Sequence, residues 1–138
     1  MKRYLLDTHI IVWFLLDSKE LSPNIREEIE YYQDVYYVSV ASLHEITLLK
    51  EIKRIKTEKT ISEIISDIKN YNINILEIKE NHIEVLEKLS KPIFKNKSHD
   101  DPFDRLIISQ SIAEKMTVVS IDSRFPLYKD KGFKLRDI

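Results

Sequence analysis

SHDDPFDRLIIS, residues 98–109, places Asp100, Asp101 and Asp104 around the start of an apolar segment. The proline inside this stretch is favoured at the first position of a helix, so the pattern predicts a helix over 102–115. Clustered carboxylates are unfavourable unless protons or a cation neutralise part of their charge. Other acids are therefore expected to reach this point only as part of a shared, charge-neutralised site.

Apolar and β-branched runs predict the strands. The clearest is 117–121, which ends at Asp122, and a short apolar run at the N-terminus ends at Asp7. Both acids therefore follow a buried strand directly. Further strands are predicted at 35–39 and 73–78, with a weak one at 133–135.

Helix starts are indicated by capping residues. The segments 42–45 and 60–63 have the spacing of a capping box, in which serine or threonine is followed three residues later by glutamate. Asn81 is read in the same way, and Ser22 followed by a proline predicts one more helix start. The predicted helices before the aspartate stretch cover 10–16, 22–33, 42–52, 60–68 and 81–89.

Strands that alternate with helices in this way favour an α/β fold, with a mostly parallel sheet of four to five strands flanked by helices. The length and composition fit one domain over 1–138. Ligands of such sheets bind outside the carboxyl ends of the strands. Asp7 and Asp122 end strands, and Glu45 follows one. We therefore expect these three acids to meet Asp104 in one pocket.

Bulk composition excludes several kinds of site. The chain has no cysteine, which rules out disulfides, thiolate zinc sites and a cysteine nucleophile. Its one glycine, Gly132, cannot supply a Walker or dinucleotide-binding loop. The formal net charge is -1, so an RNA partner would need a local basic patch. For 50–59 we favour a solvated lysine-rich face, whereas for 91–97, next to the acids, we favour RNA contact.

No membrane association is expected from the sequence. The N-terminus becomes acidic too early for a signal peptide, and the longest apolar run, 10–16, is too short to span a bilayer. A cytoplasmic protein is the simplest interpretation.

Carboxylates without cysteine or paired histidines suit a hard, oxygen-seeking cation, which favours Mg²⁺ or Mn²⁺ over zinc. Such ions commonly support phosphodiester hydrolysis, because they lower the pKa of a water molecule and stabilise charge on the phosphate. A protein nucleophile is then unnecessary.

Each acid also has a purely structural explanation. Glu45 could be the third residue of a capping box. Asp101 and Asp104 could be first-turn acids, each stabilised by roughly 0.3–1 kcal/mol through the helix dipole. Asp7 and Asp122 could be turn residues. All of these explanations would have to hold at one edge of one sheet, so a shared site is the better hypothesis.

Three neighbouring polar residues are candidates for positioning a substrate. Thr8 follows the first acid and could hold a metal-bound water or the scissile phosphate, or it could cap a helix. Arg105 and Ser120 could contact a phosphate or the surroundings of a metal ion, although an arginine on a helix is more often a surface ion-pair partner. The four histidines lack zinc-ligand spacing and are interpreted as non-metal residues, with substrate contact as an alternative for His99.

Four segments carry recognisable motifs: LLDTH at 5–9, SLHEI at 42–46, DPFDRLIISQ at 101–110 and VVSID at 118–122. Together they resemble the motifs of PIN domains, specifically the VapC-like toxins of type II toxin-antitoxin systems. The resemblance spans nearly the whole chain. It implies a three-layer PIN-like fold and a metal-dependent endoribonuclease that uses Mg²⁺ or Mn²⁺ and leaves a 5′ phosphate and a 3′ hydroxyl. It also implies a homodimer and inhibition by a cognate antitoxin.

The resemblance also implies which residues carry the chemistry. Asp101 corresponds to an additional acid of this subgroup. His44 stands where a bulky aromatic residue often precedes the glutamate, so we expect it to affect packing or substrate contact. The implied catalytic and metal-binding residues are Asp7, Glu45, Asp104 and Asp122.

Two alternatives remain open at this point. A signalling receiver domain also gathers acids and Mg²⁺ at the carboxyl edge of a parallel sheet, although its late lysine is not evident after 117–121. A PIN domain kept only for binding RNA or protein is the other.

Overall fold

The computed structural model describes residues 1–136, and its centre is a sheet of five parallel strands. Across the sheet the strands lie in the order β3-β2-β1-β6-β7. A two-stranded antiparallel hairpin, β4–β5, stands apart from it. The strands are β1 (Arg3–Leu6), β2 (Val35–Ser39), β3 (Asn74–Leu76), β4 (Ile93–Phe94), β5 (Lys97–Ser98), β6 (Thr117–Val119) and β7 (Lys134–Arg136).

Six α-helices and one 3₁₀ helix connect these strands within the described part of the chain. None of the helices in residues 1–136 has the length and apolar character needed to cross a membrane. The α-helices are α1 (Thr8–Leu15), α2 (Pro23–Glu30), α3 (Val40–Glu51), α4 (Ile61–Asn70), α5 (Glu80–Lys88) and α6 (Pro102–Glu114), and the 3₁₀ helix covers Phe125–Lys131.

The central strands are buried on both faces, because successive side chains of a strand point to opposite sides of the sheet. Leu5 and Val118 pack in one apolar cluster, whereas their neighbours Leu6 and Val119 pack in the other. Helices cover each cluster, so these strands read as continuous apolar runs without alternation. The predicted α/β fold with a parallel sheet is confirmed.

Several predicted helix boundaries are wrong. Helix α3 begins at Val40, with the hydroxyl of Ser39 as its N-cap, so Ser42 is not a cap. Ser42 is buried and accepts a hydrogen bond from Thr8 Oγ1 at 2.9 Å. The strand β2 runs into the helix without a loop, and the true cap is therefore the last strand residue. Glu45 consequently lies inside the helix and is not the third residue of a capping box.

Smaller differences concern the ends of other elements. Helix α2 stops at Glu30, earlier than the predicted 33–34, and β3 and β6 are shorter than the apolar runs that contain them. The predicted cap at Asn81 is also wrong, because α5 begins at Glu80. There the His82 ring accepts the backbone N–H of Lys79 at 3.0 Å.

The capping box at α4 is confirmed and provides a stability test. Thr60 Oγ1 accepts from the Glu63 amide at 3.2 Å, and Glu63 Oε1 accepts from the Thr60 amide at 3.0 Å. We expect Thr60→Ala to lower the free energy of unfolding by about 1 kcal/mol in urea titrations. Ser66→Ala on the exposed side of the same helix is the control and should change it little. Equal effects of the two substitutions would contradict the capping role.

Candidate active site

The strand order reverses between β1 and β6, which lie side by side at the centre of the sheet. The chain leaves β1 toward one side and reaches β6 from the other, so a crevice forms beyond their carboxyl ends. Asp7 follows β1 directly, and Ser120 and Asp122 follow β6. The topology therefore brings together residues that are more than a hundred positions apart.

Asp7 is the most enclosed acid of this crevice and has two hydrogen-bond donors. It is 5% exposed; Oδ1 accepts from the Thr8 amide at 2.8 Å and Oδ2 from Ser120 Oγ at 2.8 Å. Burial raises the pKa of Asp7 to about 6, although both hydrogen bonds oppose that rise. The Ser120 hydroxyl also accepts from the Asp122 amide at 3.1 Å, and it thus ties the two strand ends together.

Asp101 and Asp104 come from the start of α6. Asp101 is the N-cap, and its Oδ1 accepts from the amides of Phe103 and Asp104 at 3.0 Å each. Asp104 is 6% exposed, and its pKa is raised to about 8. Burial is the largest cause. The others are the negative charges of the remaining four acids, namely Asp7, Asp101, Asp122 and Glu45. The four acids predicted to meet do share one site, and Asp101 joins them.

Glu45 projects from α3 into the same site and is the least satisfied acid. Its Oε1 atom is buried and has no hydrogen-bond partner among residues 1–136. Burial raises its pKa, the Thr8 hydroxyl opposes this, and the charge of Asp101 adds to it. A buried carboxylate oxygen without a donor is costly, so this atom is available to a ligand that brings positive charge.

Asp122 is held by Arg124, a residue that the sequence analysis did not single out. Arg124 Nε and Nη2 donate to Oδ1 and Oδ2 of Asp122 at 3.0 and 2.7 Å. Burial would raise the pKa of Asp122, but these contacts outweigh it and the pKa lies below its usual range. Arg124 Nη2 also lies 3.6 Å from Asp104 Oδ2, so this side chain neutralises part of the cluster.

A buried hydrogen-bond relay, formed by His99, Tyr128 and Arg105, supports Asp104 on the side away from the cleft. His99 Nε2 lies 3.1 Å from Asp104 Oδ2, and His99 Nδ1 lies 2.8 Å from the Tyr128 hydroxyl. Arg105 Nη1 donates to the same hydroxyl at 3.1 Å, so the hydroxyl can give its own proton to Nδ1. Burial and the charge of Arg124 lower the pKa of His99, which favours a neutral ring that donates from Nε2.

Arg105 does not reach the crevice. Its Nη2 donates to the Leu89 carbonyl at 2.7 Å, and it meets the acids only through Tyr128 and His99. Thr8 and Ser120 do lie at the acids, because the Thr8 amide and the Ser120 hydroxyl both donate to Asp7. The structure thus brings two of the three predicted positioning residues to the site.

A cleft of about 800 Å³ opens over the acids. Its lining includes the aromatic side chains of Trp13 and Phe103 and the basic side chains of Arg54 and Lys56. Exposed His44 packs edge-on against Phe103, with ring centroids 5.2 Å apart. Arg54 and Lys56 belong to the segment 50–59, which the sequence predicts to be a solvated lysine-rich face. In the structure, these two residues line the cleft.

The acids match the chemistry of a hard cation but are not arranged around one point. Within residues 1–136, no group of three or more acidic or histidine side chains is placed to hold a metal ion. The donors to Asp7 and the guanidinium of Arg124 take up much of the ligand capacity. The free oxygen of Glu45 and the raised pKa values of Asp7 and Asp104 nevertheless indicate a site short of positive charge. A cation would compete there with protons and with Arg124.

Comparison with known proteins identifies the fold. The family model for the PIN domain matches residues 4–131, almost the whole chain.

The chain belongs to the PIN domain family.

A receiver domain is therefore excluded, and the strand order also differs from the 2-1-3-4-5 order of receivers such as CheY. No curated protein is significantly similar to this PIN domain in sequence.

Solved structures share the fold at low sequence identity. A chain of VapBC2 from Rickettsia felis, bound to a DNA fragment from its promoter, has 19% identity and a TM-score of 0.68, with 97% of each chain covered. DNA-bound VapBC from Salmonella typhimurium has 15% identity and a TM-score of 0.64, covering 99% of this PIN domain and 98% of that chain. FitAcB from Neisseria gonorrhoeae has 15% identity and a TM-score of 0.61, covering 97% and 96%.

Three groups at the site were missed or undervalued from sequence. Arg124 lies in the loop before the 3₁₀ helix and Tyr128 lies within that helix, and no sequence motif marks either residue. For His99, the sequence suggested substrate contact and no role in supporting Asp104. The spacing Asp-Ser-Arg at 122–124 was the available signal, because a carboxylate after a strand can bond the side chain two residues on.

Proposed function

We propose that this PIN domain is a metal-dependent endoribonuclease and the toxin component of a type II toxin-antitoxin system. PIN domains are generally nucleases, and the fold is that of chains in toxin-antitoxin complexes. The observation that carries the proposal is the convergence of five acids at the strand-order reversal, with Glu45 Oε1 buried and unpartnered. That arrangement suits binding of Mg²⁺ or Mn²⁺ and a phosphodiester.

The surroundings of each acid indicate the role that it would have in the site. Asp7, Glu45 and Asp104 are the groups short of positive charge, and they would hold the cation together with Asp122 and, at the edge, Asp101. When bound, such a cation would supply positive charge to the scissile phosphate and to the attacking water. Ser120 orients Asp7, and the relay through His99 orients Asp104. Arg124, when released from Asp122, would be free to contact a phosphate oxygen.

The proposed partners follow from the same relatives. VapBC2, VapBC and FitAcB are structures of complexes, which supports a cognate antitoxin as partner of this chain. A homodimer, an RNA substrate and a cytoplasmic location complete the proposal. A domain kept only for binding is disfavoured, because every acid of the predicted set is present in the cleft.

Cleavage of bulk cellular RNA tests the function. We expect wild-type protein to cut RNA with Mn²⁺ or Mg²⁺, to be silent in EDTA, and to leave 5′ phosphate and 3′ hydroxyl ends. End-specific labelling of the products would show this. Cleavage in EDTA, or products with cyclic phosphate ends, would contradict metal-dependent hydrolysis.

Ser120 provides a graded test of the site. Because its hydroxyl contacts both Asp7 and the Asp122 amide, we expect Ser120→Ala to lower the cleavage rate by about 10–100-fold. Higher Mn²⁺ concentration should recover part of the loss, since the ligands themselves remain. Exposed Ser123→Ala is the matched control and should cleave like wild type. A Ser120→Ala rate equal to that of the control would show that Asp7 needs no such support.

A further inference from the structure

A second pocket of about 450 Å³ adjoins the acidic cleft. Arg124 lines both, with its side chain 40% exposed, and His99 separates the pocket from Asp104. The rest of its lining comes mainly from the β4–β5 hairpin. The pocket residues are Phe94, Lys95, Lys97, Ser98, His99, Asp100 and Arg124.

The hairpin holds its side chains in a defined geometry. Its two-residue turn, Lys95-Asn96, has φ values of 51° and 66°, as in a type I′ turn, which matches the twist of paired strands. Phe94 pairs directly with Lys97 in the antiparallel register, so the two side chains lie on the same face. Ile93 is 65% exposed, which shows how far the hairpin stands out from the core.

The pocket carries positive charge beside a negative site. Asp100 is its one acid, and Lys91 Nζ already pairs with that carboxylate at 2.8 Å. Lys95 and Lys97 are exposed and face the same space. An anionic polymer that reaches the acids needs such a counter-charge along its path, because the acids alone would repel it.

Phe94 adds a surface for a planar group. Its ring is half-buried, and Lys95 Nζ lies over the ring at 5.3 Å from the centroid, so a base that stacked on this face would take the place of the ammonium group. Aromatic rings next to a cationic groove are the usual combination for single-stranded nucleic acid, since bases stack while the cations follow the backbone. An acidic peptide would use the lysines without needing the ring.

We propose that the β4–β5 hairpin pocket binds the single-stranded RNA that flanks the scissile phosphate, with Lys95 and Lys97 on the backbone and Phe94 beneath a base. This inference rests on the proposed ribonuclease function and extends it to the path of the substrate. It implies that the RNA chain runs from the acidic cleft past Arg124 and onto the hairpin.

Fluorescence polarisation with a labelled oligouridine of about 12 nucleotides tests the pocket. Binding is measured against salt in Ca²⁺, with the integrity of the probe checked on a gel. Lys95→Ala/Lys97→Ala should weaken binding about tenfold and lower the salt slope by about 1.4, which is two phosphate contacts. The matched control is Lys2→Ala/Lys69→Ala, which removes the same charge away from the hairpin, just before β1 and in the last turn of α4. Phe94→Leu should weaken binding at least about fivefold without changing the slope.

Equal slopes for the two double variants, or a wild type that does not bind the probe, would overturn the hairpin proposal. So would a labelled polyglutamate peptide that depends on the two lysines when oligouridine does not, since that would indicate a protein-docking surface. Thermal unfolding of each variant checks the fold. Failure of the proposed function is distinct from these results, because it would appear as absence of Mn²⁺-dependent cleavage by wild type.

Discussion

Asp104→Asn is expected to raise the thermal unfolding midpoint at pH 8 by about 5 °C or more. The pKa of Asp104 is raised to about 8 by burial and by four neighbouring acids, so its ionised form destabilises the folded state. One unit of pKa corresponds to about 1.4 kcal/mol, and 1 kcal/mol moves the midpoint by about 2–8 °C. An asparagine keeps an oxygen for His99 and removes the charge.

The pH dependence of this effect has a definite sign. Between the ordinary pKa of an aspartate and about 8, the folded state binds more protons than the unfolded one, so stability falls as pH rises. Asp7, with its pKa raised to about 6, adds a fall over the lower part of that range. In Asp104→Asn the fall should be shallower, and the gain should vanish near pH 4. Asp100→Asn is the control: Lys91 lowers the pKa of exposed Asp100, so its loss should not stabilise the protein. A gain of equal size at low and high pH would contradict the electrostatic explanation.

Asp7→Asn and Asp104→Asn are each expected to lower the rate of metal-dependent RNA cleavage by more than about 100-fold. Loss of a group that only orients a metal ligand costs about 10–100-fold, and loss of the ligand should cost more. Initial rates at saturating Mn²⁺ on one RNA would measure this. Asp34→Asn is the control, because Asp34 lies before β2 at the opposite edge of the sheet and accepts from the Lys2 amide. If either site variant cleaved like the control, the assignment of that residue would be wrong.

The predicted gain in stability and the predicted loss of activity of Asp104→Asn have the same cause. The same substitution at Asp104 should stabilise the fold and abolish activity, because the carboxylates are held close together at a cost in stability that Arg124 and bound protons relieve only in part. A variant that lost both stability and activity would instead indicate a structural role.

The sheet and the acids were predictable from sequence because each depends on short-range patterns. Apolar runs mark the buried strands, and parallel strands place the acids that follow them at one edge. Asp7 and Asp122 come from strand ends, and the proline after Asp101 marks the start of α6. The order of strands, which brings β1 beside β6, depends on the whole chain, and no strand order was predicted from the sequence.

Other features depend on contacts that no local pattern encodes. Ser42 has the spacing of a cap, but the continuous run of β2 into α3 makes Ser39 the cap and buries Ser42 against Thr8. Arg105 sits in a motif beside the acids, yet its guanidinium faces Tyr128 and the Leu89 carbonyl. Arg105 and Asp104 are neighbours on α6, but their side chains point in different directions. Only Asp104 therefore reaches the cleft, and Arg105 supports it through Tyr128 and His99.

The most direct test of a shared cation site is the thermal unfolding midpoint of wild type and Asp7→Asn, each with EDTA and with millimolar Mn²⁺. A cation that binds only the folded state stabilises it by mass action, by about 2.7 kcal/mol at a hundred times its Kd. We predict a rise in the wild-type midpoint at pH 8 that Asp7→Asn largely loses. No rise in wild type, with or without a deoxyuridine oligomer to supply phosphates, would contradict the account. An equal rise in both proteins would place the cation elsewhere.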